Sequence, residues 1–134
     1  MNKFEKISNF LTEAGVYFLA TVDGDKPKCR PIGFHVLRND RLYFGVGDFK
    51  DVYKQLCRNP EAEIVAVIGD TWLRIYGQVV FEKDDTIAQE VLEKIPVLKE
   101  IYNEKTGYKL AIFHLEKATA EFRSLMTITE SYEL

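Results

Sequence analysis

Residues 42–60, LYFGVGDFKDVYKQLCRNP, change character midway, and the reading of that change decides the fold. Leu42, Tyr43, Phe44 and Val46 favour extended backbone, while Gly45 and Gly47 permit a turn or the close approach of another group. Asp48 and Asp51 are residue types that suit a helix N-terminus, and Pro60 follows where a short helix would have to stop. The stretch therefore predicts a strand, a loop and a short helix. Lys50 stands at the helix entrance beside backbone N–H groups without intrahelical partners, a setting that suits a phosphate. A plain strand-to-helix connection with a solvated lysine has the same spacing.

Upstream, residues 3–14 place Phe4, Ile7, Phe10, Leu11 and Ala14 on one face at helical spacing, and Gly15 is suited to end that helix. An apolar strand follows at 16–22, and DGDKP at 23–27 is turn chemistry, so a hairpin is predicted with its second arm over 28–37. Alternation along that arm sets Lys28, Arg30, Ile32, Phe34 and Val36 on one face. Pro31 and Gly33 interrupt the arm's hydrogen-bonding capacity, as at an edge, a bulge or a site of close approach. Arg30 shares its face with Ile32 and Phe34. A buried, unpaired charge costs several kcal/mol, so Arg30 needs either an internal carboxylate or a ligand anion. The turn RNDR at 38–41 then returns the chain to the opening stretch, and three consecutive strands in an antiparallel meander are expected.

Downstream, EIVAVI at 63–68 and WLRIYGQVVFE at 72–82 read as two strands joined by a Gly-Asp-Thr turn. In the second, Trp72, Arg74, Tyr76 and Gln78 alternate with Leu73, Ile75, Gly77 and Val79, one mixed face against one apolar face. A mixed face of this kind suits a solvated exterior, a subunit contact or a ligand wall. Residues 84–103 carry apolar residues at helical spacing interrupted by Pro96, which predicts two short helices or one broken helix. A sixth strand is expected at 110–122, and the tail RSLMTITESYEL has only weak strand character. Six antiparallel strands, a lid helix and a helical crossover predict a mainly β, α+β domain: one small closed or split barrel spanning residues 1–134.

Eighteen basic against 21 acidic residues give a net charge of −3, which argues against a partner bound by neutralising nucleic-acid phosphates. No apolar run approaches the length of a membrane span, and residues 1–15 lack a signal-peptide core, so a cytoplasmic protein is expected. Cys29 and Cys57 form no CxxC and have no histidine pair nearby; two reduced thiols and no metal are expected. His35 and His114 accompany no Ser or Cys nucleophile motif, which excludes the common hydrolase arrangements.

Three segments carry a family resemblance: CRPIGF at 29–34, residues 42–64, and WLRIYGQVVF at 72–81. In their order and separation the chain resembles the FMN-binding split barrels related to pyridoxamine 5'-phosphate oxidase, especially the small general-stress and nitroimidazole-resistance type members. The resemblance implies a six-stranded antiparallel split barrel with FMN as cofactor. It implies that Arg30 lies near the flavin phosphate, with the backbone of Pro31, Ile32 and Gly33 along the isoalloxazine ring. It also implies that Gly45, Val46, Lys50 and Trp72 line the site. The chain departs from the family's oxidases at Val52 and His35, where those carry lysines, so the resemblance implies a phosphate affinity that is weaker or relies on Lys54 beside Arg30 and Lys50. A homodimer with the flavin at its interface is implied as well.

The activity that the resemblance implies is FMN-dependent oxidoreduction: NAD(P)H-linked reduction of a small acceptor such as a nitro compound or flavin, with no catalytic side chain required. Two alternatives stay open, a non-catalytic flavin-binding or sensor protein and an oxidase of pyridoxamine phosphate. The second lacks a counterpart of the basic C-terminal substrate motif of those oxidases. A small-molecule donor and acceptor are the expected partners.

Overall fold

The computed structural model describes residues 1–134. Helix α1 (Lys3–Ala14) precedes strands β1 (Tyr17–Asp23), β2 (Lys26–Ile32), β3 (Val36–Arg38) and β4 (Arg41–Gly47). Helix α2 (Asp51–Arg58) leads to β5 (Glu61–Ile68) and β6 (Thr71–Phe81). Helix α3 (Thr86–Lys94) and a 3₁₀ turn (Pro96–Glu100) then cross to β7 (Leu110–Arg123) and β8 (Ile128–Glu133). No helix is long and apolar enough to cross a membrane.

The mainly antiparallel α+β split-barrel architecture agrees with the sequence reading, with eight strands in place of six. Two local causes account for the difference. The predicted arm at 28–37 is two strands, because residues 33–35 leave the ladder after β2. The tail also becomes β8, whose partner is β7 in a register running from Thr119↔Glu133 to Arg123↔Ile128. Both antiparallel pairings of the expected meander form, β1 with β2 and β3 with β4, but the meander is broken at the divided arm: the sheet order is β2-β1-β5-β6-β7-β4-β3, so β2 and β3 are consecutive in sequence yet occupy opposite ends of the path. Only four Cα steps join Ile32 to Val36, at most about 14 Å when fully extended. The sheet must therefore curl until its ends meet, and the seam of the barrel falls at residues 33–35.

Alternation builds the interior. The cross-strand row Leu19, Ile64, Ile75 and Ala120 runs across β1, β5, β6 and β7, with each residue at most 1% exposed. One residue along, the row Phe18, Val65, Arg74 and Glu121 faces outward. This is the period-2 consequence of the pleat. Gly77 sits at a bulge between Tyr76 and Gln78, where an added Cβ would lie 2.8 Å from the Glu116 carbonyl oxygen and 2.9 Å from Ala118 Cα. The β6 and β7 backbones approach too closely there for a side chain.

Helix α1 begins with Asn2, whose side chain accepts from Glu5 N at 2.9 Å, and ends at Gly15 in a positive-φ conformation. Its Ile7 and Leu11 are fully buried in the barrel core, each contributing about 1.5–3 kcal/mol by removal from water. Helix α2 buries Val52, Gln55 and Leu56, three positions at i, i+3 and i+4. Pro96 starts the 3₁₀ turn and separates it from α3, as its missing N–H requires. Cys29 and Cys57 are free and exposed.

Candidate functional site

The seam of the barrel is walled by a groove of about 360 Å³. Arg30, Pro31, Ile32 and Gly33 enter it from β2 and the corner after it, Gly45 and Val46 from β4, and Lys50 from the start of α2. Phe34, Val52, Tyr102 and Leu110 are among the remaining residues of its walls. Lys54 lies on the exposed face of α2 and Trp72 on the outer face of β6, and neither lines this groove.

The geometry follows from local backbone choices. Gly45 has no side chain because Phe34 Cζ occupies a point 2.6 Å from where its Cβ would be, with Ile112 and Leu110 close behind. At Gly47 the same space is taken by the Phe49 ring, 2.8 Å away, and by the Tyr102 hydroxyl, 2.9 Å away. The two glycines therefore let aromatic rings lie directly on the β4 backbone. Tyr102 and Leu110 also line an adjoining cavity of about 500 Å³ between α3 and the segment leading into β7.

Arg30 has no carboxylate partner. Its Nη1 donates to the Leu19 carbonyl at 3.1 Å and to Thr21 Oγ1 at 2.7 Å, and its Nη2 donates to Gln55 Oε1 at 2.9 Å. Thr21 Oγ1 donates in turn to Gln55 Oε1 at 2.6 Å. All of these acceptors are neutral, and none of the protein's ion pairs includes Arg30. The internal carboxylate that the sequence left open as a partner is thus not there. Burial pushes the guanidinium below its ordinary value, opposed by the nearby Cys29 thiol. An arginine remains charged through such a change, so a net positive charge stays at the groove wall.

Lys50 occupies the N-cap position of α2 in extended conformation, makes no side-chain capping bond, and holds its ammonium over the Phe49 ring, 5.9 Å from the centroid. The sequence placed Asp48 at the same helix entrance, but its carboxylate turns to β7's approach instead. Asp48 Oδ1 accepts from Lys109 N at 3.0 Å, while Asp48 N donates to the Lys109 carbonyl at 2.9 Å. The helix entrance is left with one aspartate, Asp51, in its first turn.

His35, where oxidases resembling this chain carry a lysine, is engaged at both ring nitrogens. Nε2 meets Ser8 Oγ at 2.8 Å and Nδ1 meets the Tyr17 hydroxyl at 2.9 Å. Burial lowers the histidine, partly offset by a hydrogen bond involving the Ser8 backbone, and raises the Tyr17 hydroxyl. The neutral imidazole thus ties α1 and β1 to the seam instead of reaching into the groove. Two guanidinium groups lie over the Trp72 ring, with Arg74 Cζ and Arg123 Cζ each 5.1 Å from its centroid.

Sequence reasoning missed Thr21, Phe34, Gln55 and Tyr102 in this neighbourhood. For Gln55 a signal existed: it falls on the apolar stripe Val52, Gln55, Leu56, where a polar residue asks for a partner. For Tyr102 none did, because its contact with Gly47 joins segments far apart in the chain.

A split barrel whose seam holds a basic, glycine-walled groove is the class that these observations define. The chain belongs to the pyridoxamine 5'-phosphate oxidase family, whose model matches residues 4–121. Among solved structures it is similar to a NimC/NimA family protein from Clostridium acetobutylicum, with 29% identity, TM-score 0.85, and coverage of 100% of this chain and 95% of that one. It is also similar in fold to General Stress Protein 26 from Bacillus anthracis, at 17% identity and TM-score 0.73, with 100% of both chains covered. A heme binding protein from Mycobacterium smegmatis shares the fold at 13% identity and TM-score 0.70, covering 99% of this chain and 59% of that one. No curated protein matches the sequence.

Proposed function

We infer that this chain binds FMN in the seam groove and acts as an FMN-dependent oxidoreductase toward a small acceptor such as a nitro compound or flavin, with NAD(P)H as electron donor. The observation that carries the reading is Arg30: a partly buried guanidinium at the groove wall whose protein partners are all neutral. A phosphate monoester with about two negative charges near neutral pH is a ligand that such a group suits. Lys50 adds a second positive charge at the same groove, and the α2 entrance adds backbone N–H groups. Pro31 and Gly33 are exposed, and with Ile32, Gly45 and Val46 they give the groove apolar walls of the kind that a flat ring needs.

Bound flavin would supply two-electron transfer between donor and acceptor. The chain's part is to bind, orient and shield. No acid, histidine or cysteine lines the groove, which agrees with protein side chains that position the cofactor and carry no covalent step. The adjoining cavity past Tyr102 gives a small acceptor room beside the groove. Lys54 and Trp72 belong to the proposal only through other surfaces: Lys54 from the exposed side of α2, and Trp72 from a second copy of the chain. Phe18, Val67 and Tyr76 are exposed on the same outer face as Trp72, which supports a homodimer formed there.

The absorption spectrum of the purified protein after incubation with FMN and desalting tests the cofactor. Retained flavin bands are predicted, and a colourless protein would overturn the reading. Steady NAD(P)H oxidation above that of free FMN separates the enzyme from a non-catalytic flavin-binding protein.

A further inference from the structure

The charge on Arg30 raises a chemical question that its hydrogen bonds answer. Gln55 is 6% exposed and Thr21 3% exposed, so the contacts that fix the guanidinium are made out of water. Their donors and acceptors are fully determined. Arg30 can only donate, and Thr21 Oγ1 accepts from Nη1 at 2.7 Å, so the threonine hydrogen is free to go to Gln55 Oε1, 2.6 Å away. Gln55 Oε1 also receives Arg30 Nη2 at 2.9 Å, and two donors on one atom require that atom to be the amide oxygen. Both Nη1 hydrogens and one Nη2 hydrogen are then used, leaving Nε–H and the second Nη2–H without protein partners.

We propose that Gln55 is a positioning residue that aims the Arg30 guanidinium into the groove and, because it is neutral, leaves the positive charge of Arg30 for a phosphate-bearing ligand. A glutamate has the same length and would accept the same two hydrogen bonds, so geometry alone does not favour the amide. Charge does. Arg38, Arg74 and Arg123 each bond a carboxylate, and a carboxylate at position 55 would satisfy Arg30 in the same way, repelling an anionic ligand. This inference rests on the reading of the groove as a site for flavin phosphate and adds the residue that sets its preference for the phosphorylated form.

The test titrates FMN and riboflavin, which lacks the phosphate, into the wild type, Gln55→Glu and Gln55→Met, with thermal melting of each. In Gln55→Glu the FMN affinity falls at least about tenfold, the loss typical of a charge-assisted hydrogen bond, while riboflavin affinity and melting temperature hold. In Gln55→Met, where Arg30 keeps its charge and its Nη1 contacts but loses the bond that fixes Nη2, FMN affinity falls several-fold relative to riboflavin affinity. Equal weakening of both flavins in the variants marks Gln55 as structural only and overturns the proposal, as does a Gln55→Glu variant that binds FMN like the wild type. A wild type that binds no FMN overturns the reading of the groove itself.

Discussion

Arg30 and Arg74 lie in the same sheet and are answered in opposite ways. Arg74, on the outer face of β6, has Glu63 at 3.1 Å, Glu121 at 4.0 Å and the Trp72 ring beneath it. Arg30, turned toward the seam, has a carbonyl, a hydroxyl and an amide. One charge is neutralised within the fold, while the other is held in place with its field directed into a groove. The difference teaches that counting hydrogen bonds does not separate a neutralised arginine from one whose charge is left uncompensated. The formal charge of the acceptors does.

Substitution sharpens the contrast, and the largest effect belongs to the groove. Arg30→Ala lowers FMN affinity by about 1.5–3 kcal/mol, roughly 10- to 150-fold, as followed by flavin fluorescence on titration. Lys50→Ala, which removes an exposed charge, gives a smaller loss of about 1 kcal/mol in the same assay. Gly45→Ala places a methyl group where Phe34 Cζ would be 2.6 Å away. The ring must shift, and a loss of about 1 kcal/mol or more in unfolding free energy by denaturant titration is expected. Arg74→Ala, at a pair about one-third exposed, changes the same unfolding free energy by less than about 1 kcal/mol. An Arg74 variant that weakened FMN binding as much as Arg30→Ala would break the comparison.

The weakest effect concerns pH at the seam. His35 is lowered from its ordinary value of 6.5 by burial, so below that value the unfolded chain binds a proton more readily than the native one. Its contribution to stability is therefore fully present above pH 6.5 and declines as pH falls through 6.5 toward the depressed native value. Melting temperatures at about pH 7.5 and 5.5 should show a fall that His35→Asn diminishes, because asparagine carries no titrating ring.

Much of this was legible because it is local. The stripe Phe4, Ile7, Phe10, Leu11 and Ala14 with Gly15 at its end specifies α1, and the alternation of Leu73, Ile75, Gly77 and Val79 specifies the inner face of β6. Arg30, Pro31, Ile32, Gly33, Gly45, Val46 and Lys50 were also legible as neighbours, through resemblance and through the oddity of proline, glycine and arginine in one strand, whereas Lys54 and Trp72, expected beside them, lie outside the groove. What escaped depended on pairing across the chain. Within the weak tail, ITESYE becomes β8 only because β7 extends far enough to receive it, and β2 parts from β3 only because the sheet closes at residues 33–35. Asp48 looked like a helix cap and proved to be an anchor for Lys109, a partner 61 positions away. The neutral company of Arg30 was likewise invisible, since Leu19, Thr21 and Gln55 meet it only after the barrel has formed.

The most direct test of an uncompensated arginine serving a phosphate is a side-by-side titration of the wild-type protein with FMN and riboflavin at low and high salt. FMN binding tighter by about tenfold or more, with an advantage that shrinks as salt rises, is the predicted result. Equal affinities for the two flavins, or an FMN preference indifferent to salt, would contradict the account.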